Sequence, residues 1–162
     1  MKLRIALTLG SLLVGCSGPE RQPKASADSA FAALQQRGAD AMGVDQYTST
    51  HVFEPLADGG RIVLQRDQVD AAGTATIRAH LQEIATRFAA GDFTIPGVVH
   101  AKIVPGTVEM KAHRTLLRYA FDTLRNGGQV RIITSDSAAL AAVRAFLQFQ
   151  RMEHRADGHD HD

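Results

Sequence analysis

The chain has 162 residues, of which 44% are hydrophobic and 22% charged, a composition typical of one globular domain. Without residues 1–15, which hold Lys2 and Arg4 but no acidic residue, 16 basic side chains face 17 acidic ones. This balance argues against the basic surface of a nucleic-acid-binding protein, and no apolar run after residue 15 approaches the ~20 residues that span a bilayer.

The N-terminus predicts a lipoprotein signal peptide over residues 1–15. Lys2 and Arg4 precede a short apolar stretch, as in secretory signals. The stretch ends in Leu-Val-Gly-Cys16, which resembles the bacterial lipobox, where the signal is cut before a cysteine that then receives acyl chains. Because Cys16 is the only cysteine, its acylation leaves no thiol for a disulfide, a nucleophile or a metal ligand. We therefore expect an envelope protein anchored to the bilayer through acylated, palmitate-bearing Cys16. Ser17 at the next position favours the periplasmic side of the outer membrane.

The chain after Cys16 divides into a tether, a domain and a tail. Residues 16–27 are rich in proline, serine and charge and predict a flexible tether. A single domain is expected over residues 28–155, followed by a disordered His/Asp tail over residues 156–162. We count His154 with this tail, which is either a solvated end or a loose chelator of divalent metal.

The first half of the domain predicts a helix, a β-hairpin and a second helix, over residues 28–42, 51–56 with 61–65, and 74–90. Four residues fit the helix ends: Asp28, Gly43, Thr74 and Gly91. Asp58-Gly59 between two apolar runs predicts a type I′ turn, which would place Phe53 opposite Leu64.

The second half repeats this pattern. Asn126-Gly127 predicts another hairpin, and Asp136 begins a helix that runs to about residue 155. A shift of 68 residues aligns the strands and a shift of 66 aligns the helices, which indicates an internal ββα repeat. The expected fold is α+β, with a four-stranded antiparallel sheet, two helices on one face and an N-terminal helix. That helix or a partner would cover the other face, and residues 94–113 are expected to be irregular apart from one helical turn over residues 108–113.

The repeat singles out two histidines. His80 occupies the position of Phe146, and His51 that of Tyr119, so that both are expected near the core face. With His100 they would form a pocket between sheet and helix, and Glu83, one turn beyond His80, would orient it or act as a ligand. Three neutral imidazoles suit Zn²⁺ or Cu²⁺.

Several stretches of the chain resemble a family of small bacterial envelope proteins of uncharacterised function. The resemblance rests on Ala-Met-Gly-Val-Asp-Gln at 41–46, Thr-His-x-Phe at 50–53, Ile-Arg-x-His-Leu-x-x-Ile-Ala at 77–85, Phe-Ala-x-Gly-Asp-Phe-x-x-Pro at 88–96, and His100. It implies no reaction. The family pattern has a second histidine where this chain has Val52, whereas His51, His80 and His100 match it.

The function predicted from the sequence is that of a lipid-anchored binding module with a transition-metal or small-ligand pocket at His51, His80 and His100. An alternative is a structural lipoprotein without a metal site, whose free sheet face docks an envelope protein or a second copy of the chain. A third is a metal-assisted hydrolase with Glu83 as its base, although no nucleophile motif or phosphate-binding loop supports an enzyme.

Overall fold

The computed structural model describes residues 24–43 and 45–156. Its helices and strands are α1 (Lys24–Met42), β1 (Ser49–Leu56), β2 (Gly59–Arg66), α2 (Ala71–Ala89), α3 (Thr94–His100), α4 (Thr107–Ala112), β3 (Arg118–Leu124), β4 (Gly127–Ile133) and α5 (Ser137–Glu153). Within these residues no helix has the length and apolar character needed to cross a membrane. The predicted signal peptide, Cys16, residues 16–23 of the tether and residues 157–162 of the tail lie outside the described part.

The fold is the predicted α+β architecture. Four antiparallel strands form one sheet in the order β1-β2-β4-β3, so that the second strands of the two hairpins lie side by side at its centre. Alternate side chains point to one face and are buried beneath α2 and α5. These inward residues are mostly apolar and include Phe53, Ile62, Leu64, Val130 and Ile132.

Each long helix packs over the hairpin of the other repeat. Helix α2 lies mainly on β3 and β4, whereas α5 lies on β1 and β2. Two glycines permit this close approach: a Cβ on Gly60 would overlap the side chain of Leu147, and one on Gly128 would lie 3.2 Å from Leu81 Cδ1. Leu81 and Leu147 are equivalent residues of the repeat, so the two halves use the same contact.

Arg78 ties α2 to the second hairpin. Its Nε donates to the carbonyl oxygen of Gly127 at 2.9 Å, and its Nη2 donates to that of Leu124 at 2.6 Å. Backbone carbonyls at a hairpin end need such donors when they are partly buried. The repeat-equivalent Arg144 of α5 is exposed.

Both hairpins differ from the predicted turn geometry. Phe53 pairs with Ile62 rather than Leu64, so the register is two residues away from the predicted one, and the loop consists of Ala57 and Asp58. In the described chain φ is positive at Gly59 but at neither loop residue, and Asn126-Gly127 also lacks positive φ, so the type I′ prediction is wrong. A slip of two residues keeps every side chain on its face, and the inward set is therefore as predicted.

The helix ends partly agree with the sequence. Asp136 caps α5 by accepting from the backbone N–H of Ala139, and Gly91 follows α2 with φ of 77°, as predicted. Helix α1 begins at Lys24, so Asp28 lies inside it and the helix includes part of the predicted tether. Helix α2 begins three residues before Thr74, and Asp70 caps it through the N–H of Gly73.

Residues 94–113 are not irregular but form two short helices, α3 and α4. Helix α4 follows Gly106, whose φ is 82°. A Cβ at Gly106 would overlap the backbone oxygen of Ala142 in α5, so this position needs glycine for both its conformation and its close approach. The segment is therefore packed against the domain rather than looped away from it.

Helix α1 covers the helical layer and not the outer sheet face. It packs on α3, where Arg37 Nε donates to the carbonyl oxygen of Val99 at 2.7 Å. The outer face instead carries ion pairs of Arg61 with Glu54 and of Arg131 with Asp58. Among the described residues, none of the large apolar side chains that are exposed lies on this face. The prediction that α1 covers it is thus wrong, and the face combines these ion pairs with half-buried apolar side chains such as Val52 and Ile133.

Candidate functional site

A cavity of about 90 Å³ lies between β1, β2 and the two long helices, beneath the layer formed by α1 and α3. Six helices or strands (α1, β1, β2, α2, α3 and α5) and the turn after α1 contribute to its wall. In the described part of the chain the lining holds no Asp, Glu, Lys or Arg, and its polar residues are four histidines and two glutamines: His51, His80, His100, His154, Gln46 and Gln150. The remaining lining is apolar and aromatic.

The structure brings the three predicted histidines to this one cavity. His51 lies on β1 at an inward position, and His80 is half-buried at the edge of the apolar stripe of α2. His100 is the last residue of α3 and is 5% exposed. Phe146, which the repeat alignment makes the equivalent of His80, also lines the cavity.

His154 is the central histidine of the cluster, and the prediction that it belongs to the tail is wrong. It ends α5, and its ring centroid lies 5.6 Å from that of His51, 5.2 Å from that of His100 and 5.3 Å from that of Phe53. Phe146, Gln150 and His154 follow one another at a spacing of four, which continues the buried stripe of α5. That periodicity is the signal that would have identified it.

All four histidines are held in the neutral form. Burial, together with the smaller effects of the neighbouring His51 and His100, lowers the pKa of His154 to about 3. Burial likewise lowers the pKa of His51 to about 4, with His80 acting in the same direction and Asp67 against it. Burial also lowers the pKa values of His80 and His100. A charged imidazole is disfavoured here because water is excluded and the neighbouring rings repel a second proton.

The hydrogen bonds of the cavity fix one tautomer. His100 Nε2 lies 2.9 Å from Gln150 Oε1, and because a carbonyl oxygen only accepts, Nε2 carries the proton. The Nδ1 atom of His100 makes no hydrogen bond in the described residues, but it lies 3.7 Å from Oε2 of Glu153, which is itself an acceptor. Gln46 Oε1 and His154 Nδ1 are buried without a partner in the same way.

Glu83, the predicted fourth member of the site, does not line the cavity. It is exposed and accepts from Arg87 Nε at 2.7 Å on the outer side of α2. Within residues 24–43 and 45–156, no three His, Cys, Asp or Glu side chains are arranged to hold a metal ion. The Zn²⁺ or Cu²⁺ site stays a prediction, and the hydrolase alternative lacks its base at the cavity.

Comparison of the chain with protein-family models, curated proteins and solved structures gives no match. The function is therefore argued from the cavity alone. Many residues that carry the resemblance noted from the sequence line it, among them Ala41, Met42, Gln46, His80 and Pro96. The resemblance itself stays a prediction.

Proposed function

We propose that this protein is a lipid-anchored module of the bacterial envelope that binds a small uncharged molecule in the cavity between sheet and helices. The observation that carries the proposal is the lining, which combines apolar and aromatic walls with a few buried polar atoms. Such walls supply most of the binding free energy of small-molecule sites, and the few polar groups orient the ligand. The anchoring part rests on the lipobox at Cys16.

The absence of charge in the described lining favours a neutral ligand. An anion or cation that entered would lose its hydration without meeting an opposite charge, which is costly in a water-poor cavity. The described residues also include no three potential ligands that are arranged to hold a metal ion. We therefore favour a neutral molecule over a metal ion.

The test blocks the cavity from its rim. Ala41 is exposed on α1 and belongs to the lining, so Ala41→Phe adds a ring at the cavity without removing a core side chain. Ala33→Phe is the matched control, because Ala33 is exposed on the same helix outside the lining. Thermal unfolding of the full chain carrying Cys16→Ala is followed with increasing toluene or phenol.

We expect at least one probe to raise the unfolding midpoint of the parent chain and of Ala33→Phe, since a ligand that binds only the folded state stabilises it. Ala41→Phe should abolish the rise. No rise with either probe, or an equal rise in Ala41→Phe, would refute binding in this cavity. Parallel titrations with Zn²⁺ and Cu²⁺ examine the metal alternative, with residues 157–162 deleted so that the His/Asp tail does not contribute.

A further inference from the structure

One buried acceptor atom of a residue in the cavity wall has no donor. Gln46 is 6% exposed and lies in the turn Gln46–Thr48, where its side chain packs against Gly38. Its Oε1 has no hydrogen-bond partner in the described residues. Folded proteins pair nearly all buried polar atoms, so an unpaired acceptor in this wall indicates that a donor from outside the chain belongs there.

Aromatic side chains form much of the cavity wall. His51 and Phe53 stack with an interplanar angle of 3°, and His154 lies within 6 Å of both ring centroids. Phe88 and Phe146, which also line the cavity, meet edge to face at 5.8 Å. Aromatic walls of this kind favour planar ligands, which pack in offset or edge-to-face contacts.

The cavity volume limits the ligand to about one ring. Drug-sized ligands need pockets of roughly 300–1,000 Å³, whereas an apolar cavity of about 150 Å³ holds benzene. The cavity here has about 90 Å³ and opens at its rim, so that a single ring fits with small movements of the surrounding side chains.

We propose that the ligand is a neutral single-ring molecule with one O–H or N–H donor, of the phenol class, whose donor reaches Gln46 Oε1. This inference rests on the proposed binding function and specifies the class of molecule. A site with a buried unpaired acceptor discriminates strongly in favour of a ligand that supplies the donor, because an analogue without it leaves the acceptor unpaired.

Phenol and toluene separate this inference from the binding function itself. The two molecules have the same ring and nearly the same size, and only phenol donates a hydrogen bond. A purely apolar cavity prefers toluene, which is the less soluble in water. Dissociation constants of both molecules are measured by NMR titration of the full chain carrying Cys16→Ala. The titration is done at pH 7.5, because phenol is uncharged at this pH.

Gln46→Met removes one acceptor at nearly constant size. Gln35→Met is the matched control, because Gln35 is 8% exposed and also has an unpartnered Oε1, but does not line the cavity. We expect phenol to bind the parent chain at least tenfold more tightly than toluene. Gln35→Met should keep this ratio, and Gln46→Met should reduce it several-fold.

Each other outcome has a separate meaning. Toluene binding as tightly as phenol to the parent chain overturns the donor inference and leaves the binding function intact. An unchanged ratio in Gln46→Met overturns the assignment of the donor to Gln46. If neither molecule binds, or if Ala41→Phe binds both as well as the parent does, the proposed binding function fails. The parent comparison stands even if Gln46→Met does not fold.

Discussion

The buried histidine cluster should make the folded state sensitive to mild acid. In the unfolded chain each histidine takes up a proton with a pKa near 6.5, whereas folding lowers the pKa of His51 to about 4 and that of His154 to about 3. Below pH 6.5 the unfolded chain therefore binds more protons than the folded one, and the free energy of unfolding falls with pH. Each histidine continues to lower the free energy of unfolding until the pH reaches the pKa of that histidine in the folded state.

The size of the loss follows from this difference. Lowering the pH from 7.5 to 5.0 costs about 2 kcal/mol for each of the two histidines, or about 4 kcal/mol together. Because pH 5.0 still lies above both folded pKa values, the result depends mainly on the unfolded value. A domain is stable by only ~5–15 kcal/mol, so this is a large fraction of its stability. Carboxylates with lowered pKa values, such as Asp92 at about 2, act below this window.

Urea denaturation at pH 7.5, 6.5, 5.5 and 5.0 measures this loss in the parent chain and in variants. His51→Phe should show about half of the pH-dependent loss of stability that the pair His51 and His154 causes. The double variant with His154→Phe should show only the loss that His80 and His100 cause. Phenylalanine suits both positions because their rings already pack against Phe53. A parent stability that does not change between pH 6.5 and 5.0, or an unchanged slope in the double variant, would refute the reasoning.

Three further predictions concern packing and anchoring. Gly106→Ala should lower the free energy of unfolding by about 2–4 kcal/mol, because the position has positive φ and a Cβ there overlaps α5. Gly97→Ala is the control and should be neutral or slightly stabilising, because Gly97 lies inside α3 and its Cβ would have its nearest contact at 3.8 Å. Equal midpoints of the two variants in thermal unfolding would contradict this prediction. Arg78→Met should lower the free energy of unfolding by about 1–3 kcal/mol, because it leaves the carbonyl oxygens of Leu124 and Gly127 without these donors. Arg144→Met should lower it by less than ~0.5 kcal/mol. Similar losses of the two variants in urea denaturation would show that the hydrogen bonds of Arg78 do not stabilise the fold. Cys16→Ala should abolish palmitate labelling and release the protein from the membrane fraction, and continued labelling would exclude acylation at this cysteine.

The fold class was accessible from the sequence because its signals are local. Apolar periodicity and the turn residues identify two hairpins followed by helices, and the repeat fixes which faces are buried. The turn type and register were not accessible. The glycines of the two dipeptides, Gly59 and Gly127, are the first residues of β2 and β4, and a Cβ on them would overlap the backbone oxygens of Ile132 and Leu64, so they serve strand pairing rather than the turns.

The site was accessible in part. His51 and His80 stand where the other half has aromatic residues, and this comparison placed them at the core. His154 was missed because polar neighbours masked the end of the α5 stripe. Gln46 was missed because a three-residue turn has no periodicity to show which side chain is buried. The contact of α1 with α3, which closes the cavity, joins segments about 60 residues apart and leaves no local pattern.

The crossing of α2 and α5 onto each other's hairpins limits how this chain can be divided. A single ββα unit leaves both its hairpin face and its helix stripe bare, and two units satisfy each other only as an interlocked pair. Cutting the chain between α4 and β3 should therefore give two fragments that do not fold separately and that reassemble when mixed. For the same reason, if the repeat arose by gene duplication, its simplest precursor is a homodimer in which the helix of each subunit packs on the hairpin of the other. The stretch from α3 to α4 then corresponds to the segment that joined the two subunits into one chain.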